Sequence, residues 1–219
     1  MLRNLVTPFT DFLVLTETRV DVRAAKKVRI RKGLSLAMCS LHRDPRAGVL
    51  VFSKPEHKLI PDSVRTSSQP GHLAVGVFEV KGHRVVVAGV YGNSSGSDRA
   101  SKAIMDELYA FLRELTNVYE TQYVLLSGDF NTILQLSDSN SNINNKPNTT
   151  ESLQTIIDDF VLQDVGSLSN NKRHTWYRKD ASGQSSRIDY VLTNLVVAPS
   201  PLRTTMTIFD HVYLEATIN

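Results

Sequence analysis

The 219-residue sequence contains one cysteine, Cys39, so an internal disulfide is excluded. A lone thiol in the apolar run Leu36-Ala37-Met38-Cys39 reads as buried and inert, and it favours a reducing compartment. No window approaches the roughly 20 apolar residues that a membrane-spanning helix needs. The opening stretch MLRNLVTPFTDF has neither the charged start nor the long apolar core of a secretion signal. Internal repeats are absent, and so is any low-complexity linker long enough to divide two domains, so residues 1–219 are expected to form a single domain. Neither sign of charge dominates: 25 Lys and Arg against 22 Asp and Glu leave a formal net charge of +3, with an isoelectric point of about 9.0. That mild basicity permits a polyanionic partner without demanding one. With 41% hydrophobic and 21% charged residues, the chain can bury a sizeable core. The simplest class is a soluble intracellular protein.

What is present is organised around QYVLLSGDFNTIL, residues 122–134. Val124, Leu125 and Leu126 form a short apolar run without helical spacing, expected to be a strand buried on both faces. Asp129 and Asn131 follow at its C-terminal mouth. Side chains two apart on extended backbone point the same way, so a carboxylate and an amide face one spot while Phe130 turns back to pack. An acceptor able to hold a water, beside an amide able to orient it, suits hydrolysis; an Asx turn capping a strand is the competing reading.

Further strands are expected at Asp11–Thr18, Leu34–Ser40, Gly48–Ser53, His72–Val80, Arg84–Tyr91, Arg187–Leu192 and Val212–Ile218. Lys81-Gly82-His83 marks a hairpin. A helix capped by Asp98 or Ser101 carries Ile104, Leu108, Phe111, Leu112 and Leu115 on one face, and a second helix carries Leu153, Ile156, Ile157 and Phe160. Residues 135–150, rich in Asn and Ser, are expected to be a mobile loop. Met1–Thr10 holds at most a frayed helical turn. Arg19–Lys32 is strongly basic, through Arg19, Arg23, Lys26, Lys27, Arg29, Arg31 and Lys32; it reads as a solvated face or as a phosphate-contacting surface. His42, His57, His72 and His83 read as surface residues, and Trp176 and Tyr177 as core. Strands separated by helices suit an α/β domain with sheets inside and helices outside.

Polar residues recur at strand ends: Glu17, Tyr91, Asn93, Asp129, Asn131, Asp189, Asp210 and His211. Their motifs run in the order TET, VYGN, SGDFN, SRIDYVL and FDH. Together these resemble the endonuclease/exonuclease/phosphatase (DNase-I-like) superfamily. HTW at residues 174–176, SSRIDYVLTN, AGVLVFSK and the loop after GDFN look most like the apurinic-type endonuclease domains of non-LTR (LINE-type) retrotransposons. The resemblance implies a four-layer αββα sandwich of two packed mixed sheets flanked by helices. It implies a Mg²⁺-dependent DNA endonuclease, with Mn²⁺ as a substitute, that nicks double-stranded DNA for target-primed reverse transcription. A downstream reverse transcriptase domain and action on chromosomal DNA in the nucleus follow from the same likeness, and no membrane is involved. Glu17 would then hold the metal. Asp129 would position or deprotonate the attacking water with Asn131 in support, and Asp189 would orient His211 toward the scissile phosphate. Asp210 would complete the cluster, and Tyr91 would approach the phosphate or the metal. Asn93, Arg19, Lys26, Lys27 and Arg29 would contact DNA.

The sequence departs from that pattern in places. The Asn-bearing strand with which such domains begin is not found, so the edge of the first strand is expected to be unpaired and activity weak. VYGNS lacks a proline and moves Asn93 one place early, and FDH replaces SDH. Another phosphodiesterase or phosphatase of the same fold, or an inactive remnant that binds nucleic acid, are the alternatives.

Overall fold

Apolar strands stack into two facing sheets in the computed structural model, which describes residues 10–27, 33–42, 47–141, 144–168, 174–180, 182–206 and 210–218. The smaller sheet has the order β1 (Phe12–Leu15), β3 (Gly48–Ser53), β2 (Ser35–Leu41), all antiparallel. β3 is buried along its whole length. The larger sheet is mixed. Its central strands are β6 (Leu73–Val80), β7 (His83–Tyr91), β8 (Tyr123–Asp129) and β12 (Asp189–Thr193), with the short β4 (Lys58–Leu59), β5 (Arg65–Thr66) and β9 (Gln163–Asp164) at the margins. β7 and β8 are parallel. A helix, α2 (Asp98–Val118), connects them over one face, as a parallel pair requires. Two further pairs, β10 (Trp176–Tyr177) with β11 (Ser185–Ser186) and β13 (Val197–Met206) with β14 (Val212–Ile218), complete the strands.

The side chains define four layers. Between the sheets lie Met38, Val49, Val51, Ala74, Phe78, Val85 and Val87. The sheets approach closely at Gly89, where a Cβ would stand 2.6 Å from Val49 Cγ1 and 2.9 Å from Val51 Cγ2. On the far face of the larger sheet, Val75, Val77, Val86, Val124 and Leu126 meet Ile104, Met105, Leu108, Leu112 and Leu115 of α2, together with Leu153 and Ile156 of α3 (Pro147–Asp159). Each such side chain, fully buried, contributes about 1.5–3 kcal/mol. On the far face of the smaller sheet, Ala25 of the short α1 (Val22–Lys27) packs with Leu13, Leu34, Leu50 and Phe52. The order is therefore helix, sheet, sheet, helices, the αββα arrangement expected from the sequence. A four-residue helix, α4 (Val165–Leu168), packs beside β12 and β13. Among the described residues no helix is long and apolar enough to cross a membrane, and β1 has β3 as its only neighbouring strand.

Several local expectations need correcting. The cap of α2 is Ser97, whose hydroxyl accepts from the Ala100 amide at 3.3 Å. The Asp98 carboxylate instead accepts from the Asn148 and Thr149 amides at 3.0 and 2.9 Å, and so caps α3. With that cap, and with Pro147 suited to a first turn, α3 starts inside the stretch expected to be loop. Residues 22–27 of the basic run form α1. β13 is a strand where the sequence pattern marks none. Its register shifts between Val197 and Leu202, a stretch that includes Pro199 and Pro201, residues that normally argue against a strand. His57 is buried, with Nε2 3.1 Å from Asp11 Oδ1 and its ring stacked on Phe12. Half-buried His72 stacks on Tyr91, and Tyr177 is exposed.

Candidate active site

Strand register assembles the centre of the site. Tyr91 at the end of β7, Asp129 at the end of β8 and Asp189 at the start of β12 are direct partners in adjacent ladders, one row across the sheet. Beside them, residues 210–212 run against the β10 strand: Trp176 bridges His211, Tyr177 N–H donates to Asp210 O, and Val212 N–H donates to Thr175 O. These contacts present His211 to the end of the row. The imidazole donates from Nδ1 to Asp189 Oδ2 at 2.9 Å, while its Nε2 faces Asp129 Oδ2 at 3.9 Å. Asp189 is steadied by its own amide, which donates to Thr175 Oγ1 at 3.1 Å.

Asp129 is 4% exposed. One carboxylate oxygen accepts from the Asn131 amide at 2.8 Å and the other from Asn131 Nδ2 at 3.0 Å. Nδ2 also donates to Gly92 O at 3.1 Å. Asn131 achieves this with φ of 50°, a left-handed conformation that Asn tolerates better than most residues. Gly92 donates its amide to Asp129 O at 2.7 Å. No side chain fits at position 92, because a Cβ there would lie 2.0 Å from Phe130 O. The Asx-turn reading of Asp129 therefore holds, and the turn orients a buried carboxyl group whose second oxygen also faces His211.

Glu17 lies just beyond β1, in a segment where both Glu17 (φ 52°) and Arg19 (φ 49°) take left-handed backbone. Its Oε1 accepts from Arg19 Nη2 at 2.8 Å and from the Tyr91 hydroxyl at 3.2 Å. Tyr91 also donates toward Ser94 Oγ at 3.4 Å.

The electrostatics follow from burial among like charges. Burial first, then the Asp189 charge, pushes the Asp129 carboxyl well above the usual range. For His211, burial alone would lower the pKa. The hydrogen bond and charge of Asp189, aided by Asp129 and Asp210, outweigh it and raise it to about 9. Burial, with Glu17 and Asp129 nearby, pushes Tyr91 up to about 12, so it remains a donor. The site therefore holds a protonated imidazole beside a cluster of carboxylates. Ligand atoms of Asp129, Asp189 and His211 lie within 4.8 Å of one another, and the Glu17 charge acts on both Asp129 and Tyr91. Concentrated carboxylate oxygens, one of them buried with its charge poorly compensated, fit a hard divalent cation.

The structure thus brings together Glu17, Tyr91, Asp129, Asn131, Asp189 and His211, with the Asp210 charge acting on His211 and on Arg19. Asn93 lies apart from this row: its Oδ1 accepts from the Ser95 amide at 2.7 Å and closes the turn after Gly92. Arg19 is paired with Glu17 rather than projecting alone. Lys27 is exposed at the end of α1, Lys26 belongs to the same helix, and Arg29 lies outside the described residues. The sequence did not single out Thr175 and Gly92, which touch the site residues directly, nor Lys146, a buried lysine whose Nζ donates to Asn93 O and Ser101 Oγ. Nor did it single out Arg187, which is 5% exposed and pairs with Asp138 at 3.0 Å and Asp164 at 2.6 Å, tying the segment around Asp138 to β9.

With this geometry established, comparison with solved structures returns the same fold at low sequence identity. The 3′ phosphatase NExo from Neisseria bound to a product DNA hairpin matches with 18% identity and a TM-score of 0.71, covering 95% of this chain and 89% of that one. An AP endonuclease from Archaeoglobus fulgidus matches with 19% identity, the same TM-score of 0.71 and the same coverage of 95% and 89%. So does the 3′-5′ exonuclease NExo from Neisseria meningitidis, at 19% identity, TM-score 0.71, and 95% and 89% coverage. Comparison with curated protein sequences finds no match. The model of the endonuclease/exonuclease/phosphatase family matches residues 2–204, nearly the whole chain, and the chain belongs to that family.

Proposed function

We propose that this chain is a Mg²⁺-dependent phosphodiester hydrolase that nicks double-stranded DNA. The observation that carries the reading is the row of Asp129 and Asp189 capped by His211, with the Asn131 amide locked onto Asp129. Asp129 is placed to hold a water and accept its proton, and the second carboxylate oxygen, bonded to Asn131 Nδ2, fixes the direction of that acceptance. His211, protonated and held by Asp189, offers an N–H to a phosphate oxygen as negative charge develops there. The Tyr91 hydroxyl and Arg19 orient Glu17. Glu17, whose charge reaches Asp129, would hold the divalent cation together with the site carboxylates, and the cation would supply stabilisation of the developing and leaving-group charge. Mn²⁺, which accepts the same carboxylate and water ligands, would substitute.

The finer reading is a nick that primes target-site reverse transcription, as in LINE-type retrotransposons, with a reverse transcriptase domain as partner and chromosomal DNA in the nucleus as substrate. It is supported by the HTW and SRIDYVL segments, which build one wall of the site: Thr175 supports Asp189, and Trp176 bridges His211. The test is supercoiled plasmid with the purified chain in Mg²⁺ and in excess EDTA. Nicking confined to Mg²⁺, leaving 3′ ends that a polymerase extends, is the expected result. Full activity in chelator removes the metal role, and ends that cannot be extended remove the priming role.

A further inference from the structure

Lys146 takes no part in the hydrolytic chemistry, yet it is 4% exposed although its sequence neighbourhood is polar. Its Nζ donates to the Asn93 carbonyl at 2.5 Å and to Ser101 Oγ at 3.1 Å, and Ser101 Oγ donates to the same carbonyl at 3.3 Å. Burying an ammonium is expensive unless the site compensates it. Here burial pulls the Lys146 pKa below its usual value, and the charges of Asp129 and Asp98 offset part of that fall. The lysine thus lies within the field of the site carboxylate without touching it.

Its partners explain what the position can do. Lys146 immediately precedes α3, Ser101 lies in the first turns of α2, and Asn93 belongs to the turn that leaves β7. Asp98 fastens the same helix ends from the other side, accepting from the backbone and side chains of Asn148 and Thr149. The turn so clamped contains Gly92. Its carbonyl receives Asn131 Nδ2 and its amide donates to Asp129 O. One residue earlier is Tyr91, which reaches Glu17. A continuous path therefore runs from the ammonium through Asn93 and Gly92 to the amide that orients Asp129.

We propose that Lys146 is a positioning residue for the hydrolytic site: its buried ammonium, seated on the Asn93 carbonyl and the Ser101 hydroxyl, fixes the turn of residues 92–97 and thereby the Gly92 carbonyl that holds Asn131 against Asp129. The proposal rests on the reading of the site as hydrolytic, so its test includes a measurement independent of activity. Lys146→Met keeps the apolar stem and removes the charge and the donors; Ser101→Ala removes one partner; Lys146→Arg restores donors and charge.

Amide hydrogen exchange is compared across these proteins, and kcat and KM for plasmid nicking are measured well below each melting temperature. In Lys146→Met, exchange should accelerate in the peptides holding Gly92 and Asn131 while the β6 core stays protected. The value of kcat should fall about ten- to a hundredfold, the scale of a misplaced reacting group, with KM within about twofold because no DNA contact is lost. Ser101→Ala should show the same pattern more weakly, and Lys146→Arg should recover protection at Gly92. Unchanged exchange at Gly92 and Asn131 in both Lys146→Met and Ser101→Ala overturns the proposal, and so does a rise in KM at constant kcat, which would make the lysine a DNA contact. If Lys146→Met does not fold, Ser101→Ala and Lys146→Arg decide on the same exchange signals. Absence of nicking by the unsubstituted chain would count against the hydrolytic reading alone, while the exchange data would still decide the positioning role.

Discussion

Replacing Asp189 with Asn removes the charge that keeps His211 protonated. In the unsubstituted protein Nδ1 lies 2.9 Å from Asp189 Oδ2, and the imidazole pKa stands at about 9 in spite of burial. An unperturbed histidine titrates near 6.5, and a tenfold gain in proton affinity is worth about 1.4 kcal/mol, so the net shift corresponds to about 3.5 kcal/mol. Because 27% of the side chain is exposed, solvent screening reduces the expected value to about 1–3 kcal/mol. The folded pKa exceeds the unfolded one. The stabilisation is therefore complete below about pH 6.5 and is lost as pH rises through about 9. In Asp189→Asn, burial is left as the largest influence and the His211 pKa should fall to about 6.5 or below. The slope of unfolding free energy over that window should flatten correspondingly. Asp129, whose pKa is also raised, adds a slope of the same sign that starts at lower pH. The deciding assay is therefore an NMR titration of the His211 ring in metal-free protein, with urea unfolding at several pH values as support. A histidine that titrates near 6.5 in the unsubstituted chain, or that does not move in Asp189→Asn, refutes the reasoning.

Two other outcomes follow from charge placement. Arg187→Met leaves Asp138 and Asp164 without their shared cation, and urea unfolding should show a loss of about 3–5 kcal/mol, as for a buried pair broken on one side; a loss under about 1 kcal/mol would show that water takes the guanidinium's place. Neutralising exposed Arg23 and Lys27 of α1 together should flatten the slope of log DNA affinity against log salt by about 1–2, since each phosphate contact contributes roughly 0.9. An unchanged slope assigns α1 to a solvated face.

The strand before Asp129 is legible in the sequence because its apolar run is short and lacks helical spacing; Val124 and Leu126, on the face toward α2, are fully buried, whereas Leu125 on the opposite face is only half-buried, so the run is less enclosed than expected. α2 is legible from its stripe, although its cap is Ser97 because Asp98 finds a tertiary partner in α3. The polar residues at strand ends can be named individually. That Tyr91, Asp129 and Asp189 share one row cannot, since alternation identifies a strand without fixing its register. Lys146 is hidden for a similar reason: nothing in an Asn-rich stretch says that its one lysine turns inward onto a carbonyl more than fifty residues earlier. The two-residue strands β10 and β11 carry no periodic signal, yet the β10 segment delivers Thr175 and Trp176 to Asp189 and His211.

In the proposed reaction Asp129, oriented by Asn131 and facing His211, activates water for attack on a DNA phosphodiester. Single-turnover nicking of supercoiled plasmid in Mg²⁺, compared between the unsubstituted chain and Asp129→Asn, tests it most directly. The substitution preserves shape and removes the proton acceptor, and the rate constant should fall at least about a hundredfold, the lower end of general-base contributions, with DNA affinity retained. Nicking by Asp129→Asn at the rate of the unsubstituted chain would contradict the account.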